Sequence, residues 1–323
     1  MTPWRSPGFW LSFLLILLGG AAVLAIQQDT LRETAFTVLM SVALASSLNI
    51  LMGYTGYVNF GHIVFFGLGG YAGFYLISKH SWGIYTAALA GGVLSAIIAL
   101  LIGLAVLLRL RGAYFALATI GINEAARAFV NNFEPFGAGT GMGIDFSVYQ
   151  NYGGASQALW LTFILLWVIT LAVVVVSFMV KRSRFGLGLM AIREDEDAAM
   201  VMGVNTPWAK VTAFVISAFF PGVIGTLFFF KNMNVEPKDA FDFQKSLEIL
   251  VTVMLGGQGT VLGPVLGALG YERLRGYLLT SSLFKNLHLA TAGLLLLLII
   301  LFVPAGAVGW LRHRFPRWRK VLE

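Results

Sequence analysis

Charged residues are scarce in this sequence, and those in unusual surroundings are the ones whose chemistry is most informative. Residues 193–197 form an unbroken charged run between two long apolar stretches. Glu124 and Arg127 stand three residues apart inside another apolar stretch, and Glu248 interrupts a third. An ionisable side chain at membrane depth is costly, so each of these is a candidate functional group. A mutual ion pair that stabilises packing explains Glu124 and Arg127 equally well.

The sequence carries no constellation typical of an enzyme. The zinc-protease pattern H-E-x-x-H, the nucleophile elbow G-x-S-x-G and the phosphate-binding pattern G-x-x-x-x-G-K-[ST] are all missing. The four histidines are scattered and there is no cysteine, so no cysteine-based metal site is predicted. We therefore predict a non-catalytic chain with no cofactor or metal of its own. If ATP drives this protein, separate subunits must bind the ATP and Mg²⁺.

The composition is typical of a polytopic α-helical membrane protein. Hydrophobic residues make up 58% of the chain and charged residues 11%, and apolar runs of about 20 residues recur along it. We predict an all-α bundle of about 8–10 segments, some broken or re-entrant. Residues 1–311 would form a single transmembrane domain and residues 312–323 a basic cytoplasmic tail. The net charge of +7 sits at the ends of the apolar runs, which suits membrane lipid headgroups and not nucleic acid.

The positions of the basic residues predict the orientation of the chain. Arg109, Arg111 and the basic cluster that begins at Lys181 indicate cytoplasmic loops, and so do both termini. A final crossing at residues 289–303 that ends in the cytoplasm requires residues 247–279 to start and finish outside. Two short crossings or a re-entrant pair both satisfy this requirement. We favour the re-entrant pair, because neither half is long enough to span comfortably.

Residues 181–207 are predicted to be a cytoplasmic coupling loop that contains a helix over about residues 189–202. Two adjacent alanines leave a helix edge without bulk, which the groove of a soluble partner can approach. Gly203 is positioned to end the helix, with Pro207 beyond it. A solvated turn that only maintains topology is the alternative. The predicted coupling residues are Arg193, Glu194, Asp195, Glu196, Asp197, Ala198, Ala199 and Gly203.

Two glycine-rich interruptions break the apolar pattern, one in each half of the chain. Residues 53–62 read GYTGYVNFGH, with almost no charge, and residues 256–260 read GGQGT. Unwound backbone at membrane depth is tolerated where protein buries it or where it lines a cavity. Paired interruptions of this kind indicate a transport pathway. Close packing of helices through glycine explains the same spacing.

Several short motifs, in order over about residues 35–279, together resemble one family. They are LMGYTG (51–56) with FGH (60–62), RGAYFALAT (111–119), RSRFG (182–186) with AIREDE (191–196), and LGGQGT (255–260) with GPVLG (263–267). This combination is similar to the LivM-type permease subunits of branched-chain amino acid ABC importers. Residues 197–203 also resemble the "EAA…G" coupling segment of ABC importer permeases. Asp197 replaces the Glu of that segment, and its Ile-x-Leu-Pro continuation is missing.

The resemblance implies a permease of a bacterial inner membrane that works with several partners. These would be a second, homologous permease, two cytoplasmic ATP-binding subunits and an extracytoplasmic substrate-binding protein. The implied substrates are branched-chain or related hydrophobic amino acids, while relatives associated with urea, short amides or other amino acids leave the substrate open. The amino acid would pass between the two interruptions. The predicted path residues are Tyr54, Thr55, Gly56, Asn59, Gly61, His62, Glu124, Gly257, Gln258, Gly259 and Thr260.

Two other classes of transport protein remain as alternatives. An ion-coupled secondary transporter would need no ATPase partner, but the charged loop and the scarcity of intramembrane carboxylates argue against it. A passive channel would use the glycine-rich interruptions, but it would leave the charged loop unexplained. Co-purification of ATP-binding and substrate-binding proteins would distinguish the importer from both.

Overall fold

The computed structural model describes residues 6–280 and 306–314, and this part of the chain is almost entirely α-helical. Its helices are α1 (Pro7–Ile26), α2 (Asp29–Thr55), α3 (Ile63–His80), α4 (Ile84–Ile102), α5 (Gly112–Asn131), α6 (Ala155–Arg182), α7 (Arg184–Glu194), α8 (Glu196–Val201), α9 (Thr206–Asn232), α10 (Pro237–Ala240), α11 (Phe243–Gly256), α12 (Leu262–Thr280) and α13 (Gly306–Arg314). By length and composition, α1, α2, α4 with the π-helical turn Gly103–Leu107 after it, α6 and α9 can each cross a membrane. The predicted polytopic, all-helical membrane bundle is confirmed. The predicted final crossing at residues 289–303, and the basic tail beyond Arg314, lie outside the described residues.

Glycine contacts hold α3, α4 and α9 together at the centre of the bundle. A Cβ atom built on Gly69 would stand 2.5 Å from the Cα of Gly222 and 2.6 Å from the carbonyl oxygen of Gly91. Because such distances exclude any side chain, glycine lets the three backbones approach closely. The Thr226 hydroxyl donates a hydrogen bond to the Gly69 carbonyl oxygen at 3.2 Å across the same contact. Gly69 therefore serves the packing of α3 against α4 and α9.

Contacts between helix ends define two ends of the bundle. Phe9 of α1 stacks on Phe178 of α6 with ring centroids 4.2 Å apart, next to the point where α6 leads into α7. We call this the elbow end. At the opposite end, which we call the far end, Lys231 of α9 pairs with Glu33 of α2. There β1 (Met142–Gly143) also pairs antiparallel with β2 (Asn234–Val235).

Residues 132–154 at the far end form a small folded excursion between α5 and α6. They contain the 3₁₀ helices Glu134–Phe136, Ala138–Thr140 and Phe146–Tyr152 as well as β1. The Tyr149 hydroxyl donates to the Phe230 carbonyl oxygen at 2.8 Å, which fixes the segment to the end of α9. The carboxylate of Asp145 accepts a hydrogen bond from the Ser147 amide at 2.8 Å and caps the last of these helices.

Two details of the sequence-based prediction are wrong, namely the start of the first interruption and the number of helices in the charged segment. The first interruption does not begin at Gly53, because α2 continues through Thr55 and ends at Gly56, whose φ of 77° is the left-handed conformation that favours glycine. The coupling segment is not one helix but two. Asp195 separates them, because its carboxylate accepts hydrogen bonds from the amides of Asp197 and Ala198, both at 2.9 Å, and so starts α8.

Helices α11 and α12 form the antiparallel hairpin that the sequence suggests. A Cβ on Gly256 would lie only 1.8 Å from the Gly263 carbonyl oxygen, so glycine is required where the hairpin closes. Farther along it, Glu248 pairs with Arg275 at 3.5 Å, which gives Glu248 the partner that the sequence did not reveal. Helix α11 has 14 residues and is therefore about 21 Å long, which is shorter than the roughly 30 Å apolar layer of a bilayer.

Candidate functional site at the elbow end

The α7–α8 unit, residues 184–201, forms what we call the elbow, and one carboxylate fixes it to the membrane helices. Glu196 accepts a hydrogen bond from Lys210 of α9 at 2.7 Å and another from the Tyr57 hydroxyl. Arg111, just before α5, lies 3.6 Å from the same carboxylate. The exposed fractions of the side chains are 13% for Glu196 and 3% for Lys210. A nearly buried charge pair therefore joins α8 to three other parts of the chain.

The surroundings of Glu196 favour its ionised form. Burial raises the pKa of Glu196, but hydrogen bonds from Lys210 and Tyr57 and the charges of Lys210 and Arg111 outweigh it. The net pKa lies below the ordinary value of 4.5. Burial, together with the hydrogen bond to Glu196, raises the pKa of Tyr57 above its ordinary value of 10. Tyr57 therefore stays protonated and acts as a donor.

A second, more exposed ion pair lies beside this contact. Nη1 of Arg111 approaches Oδ1 of Asp197 at 2.7 Å, with 53% and 76% of the two side chains exposed. Ion pairs at such exposure contribute little to stability, because water screens the two charges. Its importance is positional, because it connects the first turn of α8 to the residue that precedes α5.

Arg193, at the end of α7, reaches back to the membrane helices. Its Nη1 donates a hydrogen bond to the Gly53 carbonyl oxygen in the last turn of α2 at 2.8 Å. A Cβ atom built on Gly56 would stand 3.3 Å from Cγ of Arg193. A Cβ atom built on Gly259 would stand 2.5 Å from Nη1 of Arg193. Larger residues at either glycine would displace it. Arg193 thus contacts both glycine-rich interruptions.

The opposite surface of the elbow is exposed and partly apolar. Met200, Val201 and Met202 are 45%, 87% and 84% exposed. A groove of about 390 Å³ lies between α7 and the start of α9, lined in part by Phe185, Val204 and Trp208. Contiguous exposed apolar surface is a common feature of interaction sites. Gly203 lies at the end of α8 with φ 89°, which is the predicted helix-ending conformation.

The predicted coupling residues are divided between these two surfaces. Glu194, Asp195, Asp197 and Ala198 are exposed. Ala199, by contrast, is only 3% exposed and packs into the core of the chain. The prediction that both alanines face outward is therefore wrong for Ala199. Successive residues of a helix point about 100° apart, so adjacent side chains cannot share one face.

The first break, residues 56–62 between α2 and α3, is packed inside the protein. Tyr54 and Thr55, in the last turn before it, are 0% and 2% exposed, and the Tyr54 hydroxyl lies 2.7 Å from the Ser177 hydroxyl. Oδ1 of Asn59 accepts a hydrogen bond from the Gly61 amide at 2.9 Å, while Nε2 of His62 lies 2.9 Å from the Ser47 hydroxyl. The remaining polar atoms, Nδ2 of Asn59 and Nδ1 of His62, are buried without a hydrogen-bond partner.

The second break, residues 257–261 between α11 and α12, is held by a residue that sequence analysis missed. Nδ2 of Asn49 donates to the Thr260 carbonyl oxygen at 3.0 Å, and its Oδ1 accepts from the Gly259 amide at 2.8 Å. Asn49 is completely buried in α2. The sequence could have indicated Asn49, because it is an amide side chain inside an apolar run, where a buried polar group requires a hydrogen-bond partner. Gly257 and Gly259 have φ values of 115° and 79°, and Gln258 is half-buried.

Glu124, the remaining predicted path residue, lies apart from the two breaks on an exposed face of α5. It pairs with Arg127 at 3.6 Å, and 57% and 46% of the two side chains are exposed. The opposite face of α5 contacts the first break, because the Phe60 amide donates to the Thr119 hydroxyl at 3.1 Å. One turn farther along, Nδ2 of Asn123 donates to the Phe241 carbonyl oxygen at 3.1 Å, while its buried Oδ1 has no partner.

Comparisons with known proteins agree with this architecture. The family model for the permease component of branched-chain amino acid transport systems matches residues 31–304. The high-affinity branched-chain amino acid transport system permease protein LivM of Escherichia coli (strain K12) is 30% identical over 330 residues, which cover 92% of this chain and 74% of that protein.

Other permeases are more distant. The corresponding LivH protein of E. coli is 28% identical over 149 residues, covering 45% of this chain and 46% of LivH. The ribose import permease protein RbsC of Haemophilus influenzae is 24% identical over 108 residues, covering 32% of this chain and 33% of RbsC. No solved structure matches the chain. The family match and the similarity to LivM across most of the chain confirm the predicted resemblance: this membrane protein belongs to the family of permease components of branched-chain amino acid transport systems.

Proposed function

We propose that this chain is the membrane-spanning subunit of an ATP-driven importer for branched-chain or related hydrophobic amino acids. It forms the translocation path together with a second, homologous permease. Two cytoplasmic subunits bind ATP and Mg²⁺ and drive transport. The names of the E. coli relatives LivM and LivH, both permease proteins of high-affinity branched-chain amino acid systems, support the substrate class and the pairing of two permeases.

The observation that carries this proposal is the two-sided construction of the elbow. On its inner side, Glu196 is fixed to Lys210 and Tyr57 by buried hydrogen bonds. On its outer side, Val201 and Met202 are almost fully exposed. A solvated turn would require neither a buried ion pair nor an apolar tip. A unit that is rigidly connected inside and apolar outside is suited to receive force from a docked ATPase subunit and pass it to the membrane helices.

The exposed face of α5 supports pairing with a second permease. Glu124 and Arg127 lie in the second half of α5, and within the described part of the chain 57% and 46% of their side chains are exposed. Exposure of such a pair to lipid is costly, so we infer that the second permease covers this face and leaves a polar path along it. Unpaired polar atoms of Asn59, His62 and Asn123 lie around the contact between α5 and the first break. They supply donors and acceptors to a passing amino acid without adding net charge.

Orientation follows from the charge distribution. Arg109, Arg111 and Lys181 lie at the elbow end, which we therefore assign to the cytoplasm together with both termini. The far end then faces outward in a bacterial inner membrane. Exposed Glu134 and Asp145 in its folded segment are suited to steer a substrate-binding protein that carries basic groups on its docking surface.

The docking proposal is tested by placing charges on the apolar tip. The double variant Val201→Glu, Met202→Glu should insert into the membrane normally but lose co-purification of the ATP-binding subunits and their ATP hydrolysis. Phe146→Glu is a matched control, because Phe146 is 60% exposed at the far end. Full retention of the ATP-binding subunits by the double variant would contradict the assignment.

A further inference from the structure

We propose that Arg193 and Asn49 form a mechanical link through which the elbow controls the second break. In this arrangement, the tip of the α11–α12 hairpin moves only when the elbow moves. The inference rests on the proposed function, because it takes the elbow to be displaced by ATP-binding subunits. It adds a specific role for two residues, as positioning groups that act on the path without touching the substrate.

The first half of the link joins α2 to the hairpin tip. Both polar atoms of the Asn49 amide bond to backbone atoms of the second break, at Gly259 and Thr260. The Asn49 side chain thus pairs the Gly259 amide and the Thr260 carbonyl, two backbone groups that no helix satisfies at this break. A Cβ on Gly53 would stand 1.9 Å from Oδ1 of Asn49 and 2.7 Å from the Gly259 amide nitrogen. The end of α2 and the tip therefore pack without intervening side chains and behave as one body.

The second half of the link joins this body to the elbow. Nη1 of Arg193 bonds to the Gly53 carbonyl oxygen at 2.8 Å, one turn after Asn49, and its guanidinium lies against Gly259. A hydrogen bond from a charged donor can shift a two-state equilibrium by roughly ten- to hundredfold. Arg193 is followed, beyond the Asp195 cap, by Glu196, which is anchored to Lys210. Displacement of the elbow must therefore either carry the tip with it or break the Arg193 bond.

Other contacts of the hairpin lie away from the elbow, except that Gly306 of α13 packs against Gly257 at the tip. Ser41 of α2 bonds to Glu272 of α12, and Glu248 of α11 pairs with Arg275 of α12. Both contacts lie away from the second break. They hold the body of the hairpin, while the tip is within reach of α7. A small tilt about these contacts would expose or cover Gln258, which is half-buried at the tip.

The absence of cysteine from the sequence allows a direct test by thiol labelling. The variant Gln258→Cys is placed in lipid nanodiscs as a complex with its ATP-binding subunits. The rate of labelling by a maleimide reagent is then measured without nucleotide and after trapping with ATP and vanadate. We expect the labelling rate to change by about tenfold on trapping. With Arg193→Ala added, the rate should become independent of nucleotide. ATP hydrolysis should continue while the amount of amino acid transported per ATP falls by about tenfold.

Two further variants keep the test decisive if Arg193→Ala fails to fold. Asn49→Asp retains the acceptor for the Gly259 amide but loses the donor to Thr260, so it should weaken the link in the same direction. Arg193→Lys retains a charged donor and should restore part of the nucleotide dependence.

Two results would overturn the link. One is the persistence of full nucleotide-dependent labelling and normal transport per ATP in Arg193→Ala or Asn49→Asp. The other is a labelling rate that does not respond to nucleotide when Gln258→Cys is the only change in the complex. Failure of any ATP-binding subunit to associate with the unmodified chain would instead refute the proposed function.

Discussion

Lys210 and Glu196 form an ion pair, with 2.7 Å between Nζ and Oε1, in which both side chains are largely removed from solvent. The pair joins the first turn of α8 to the second turn of α9, where the chain re-enters the membrane. Tyr57 bonds to both partners, because its hydroxyl accepts from Lys210 at 3.0 Å and donates to Glu196. The relationship explains how the short elbow keeps a fixed position on the membrane bundle.

We expect Glu196→Gln to destabilise the protein by about 3 kcal/mol, because it leaves the buried ammonium of Lys210 without a counter-charge. The measurement is the thermal unfolding midpoint of the purified protein in detergent, followed together with transport. Glu194→Gln is the matched control, since Glu194 is exposed in the same unit. Equal unfolding midpoints for the two variants would show that the ion pair contributes nothing to stability.

The stabilisation by Glu196 should depend on pH in a defined direction. Since the pKa of Glu196 is lowered in the folded protein, its contribution is fully present above the ordinary value of 4.5 and is lost as the pH falls through the lower folded-state value. The difference in unfolding midpoint between the unmodified protein and Glu196→Gln should therefore be constant between about pH 6 and 8 and shrink below about pH 4. A difference that disappears near pH 6 would contradict this ionisation behaviour.

The helical class could be predicted because the length of the apolar runs reports directly on membrane spans. The two-helix form of the elbow was harder to foresee. Asp195 lies within a continuous charged run, so its role as the helix cap of α8 could not be read from the sequence. Only the backbone conformation distinguishes it from the neighbouring acidic residues. The inward role of Glu196 depends on Lys210 and Tyr57, which are distant in sequence. Asn49 was missed for the same reason, because both of its partners lie more than 200 residues away.

Glycine at the base of the hairpin tip should be essential for packing. In Gly256→Ala the new Cβ would stand 1.8 Å from the Gly263 carbonyl oxygen, so we expect lower expression and an unfolding midpoint reduced by several degrees. Gly270→Ala is the control in the same hairpin, because its nearest neighbour would be at an ordinary 3.8 Å. Comparable losses in both variants would argue that the close contact at Gly256 is not the cause.

Asn59→Ala should separate transport from ATP hydrolysis. This change removes the hydrogen bond to the Gly61 amide and the unpaired Nδ2 that we assign to the amino acid path. We expect amino acid uptake to fall by about tenfold, while stimulation of ATP hydrolysis by loaded binding protein persists. Asn132→Ala provides the control, since that exposed amide follows α5 directly and donates a hydrogen bond to the Ala128 carbonyl oxygen in α5. Uptake at the unmodified rate in Asn59→Ala would remove the first break from the path.

The central claim is that ATP hydrolysis moves a branched-chain amino acid through this chain by way of the elbow. The most direct measurement is uptake of radiolabelled leucine into proteoliposomes that contain the purified complex, with ATP enclosed and binding protein outside. The account predicts uptake that requires hydrolysable ATP and is abolished by Val201→Glu, Met202→Glu. Uptake that an ion gradient drives without ATP, or that the double variant leaves intact, would contradict it.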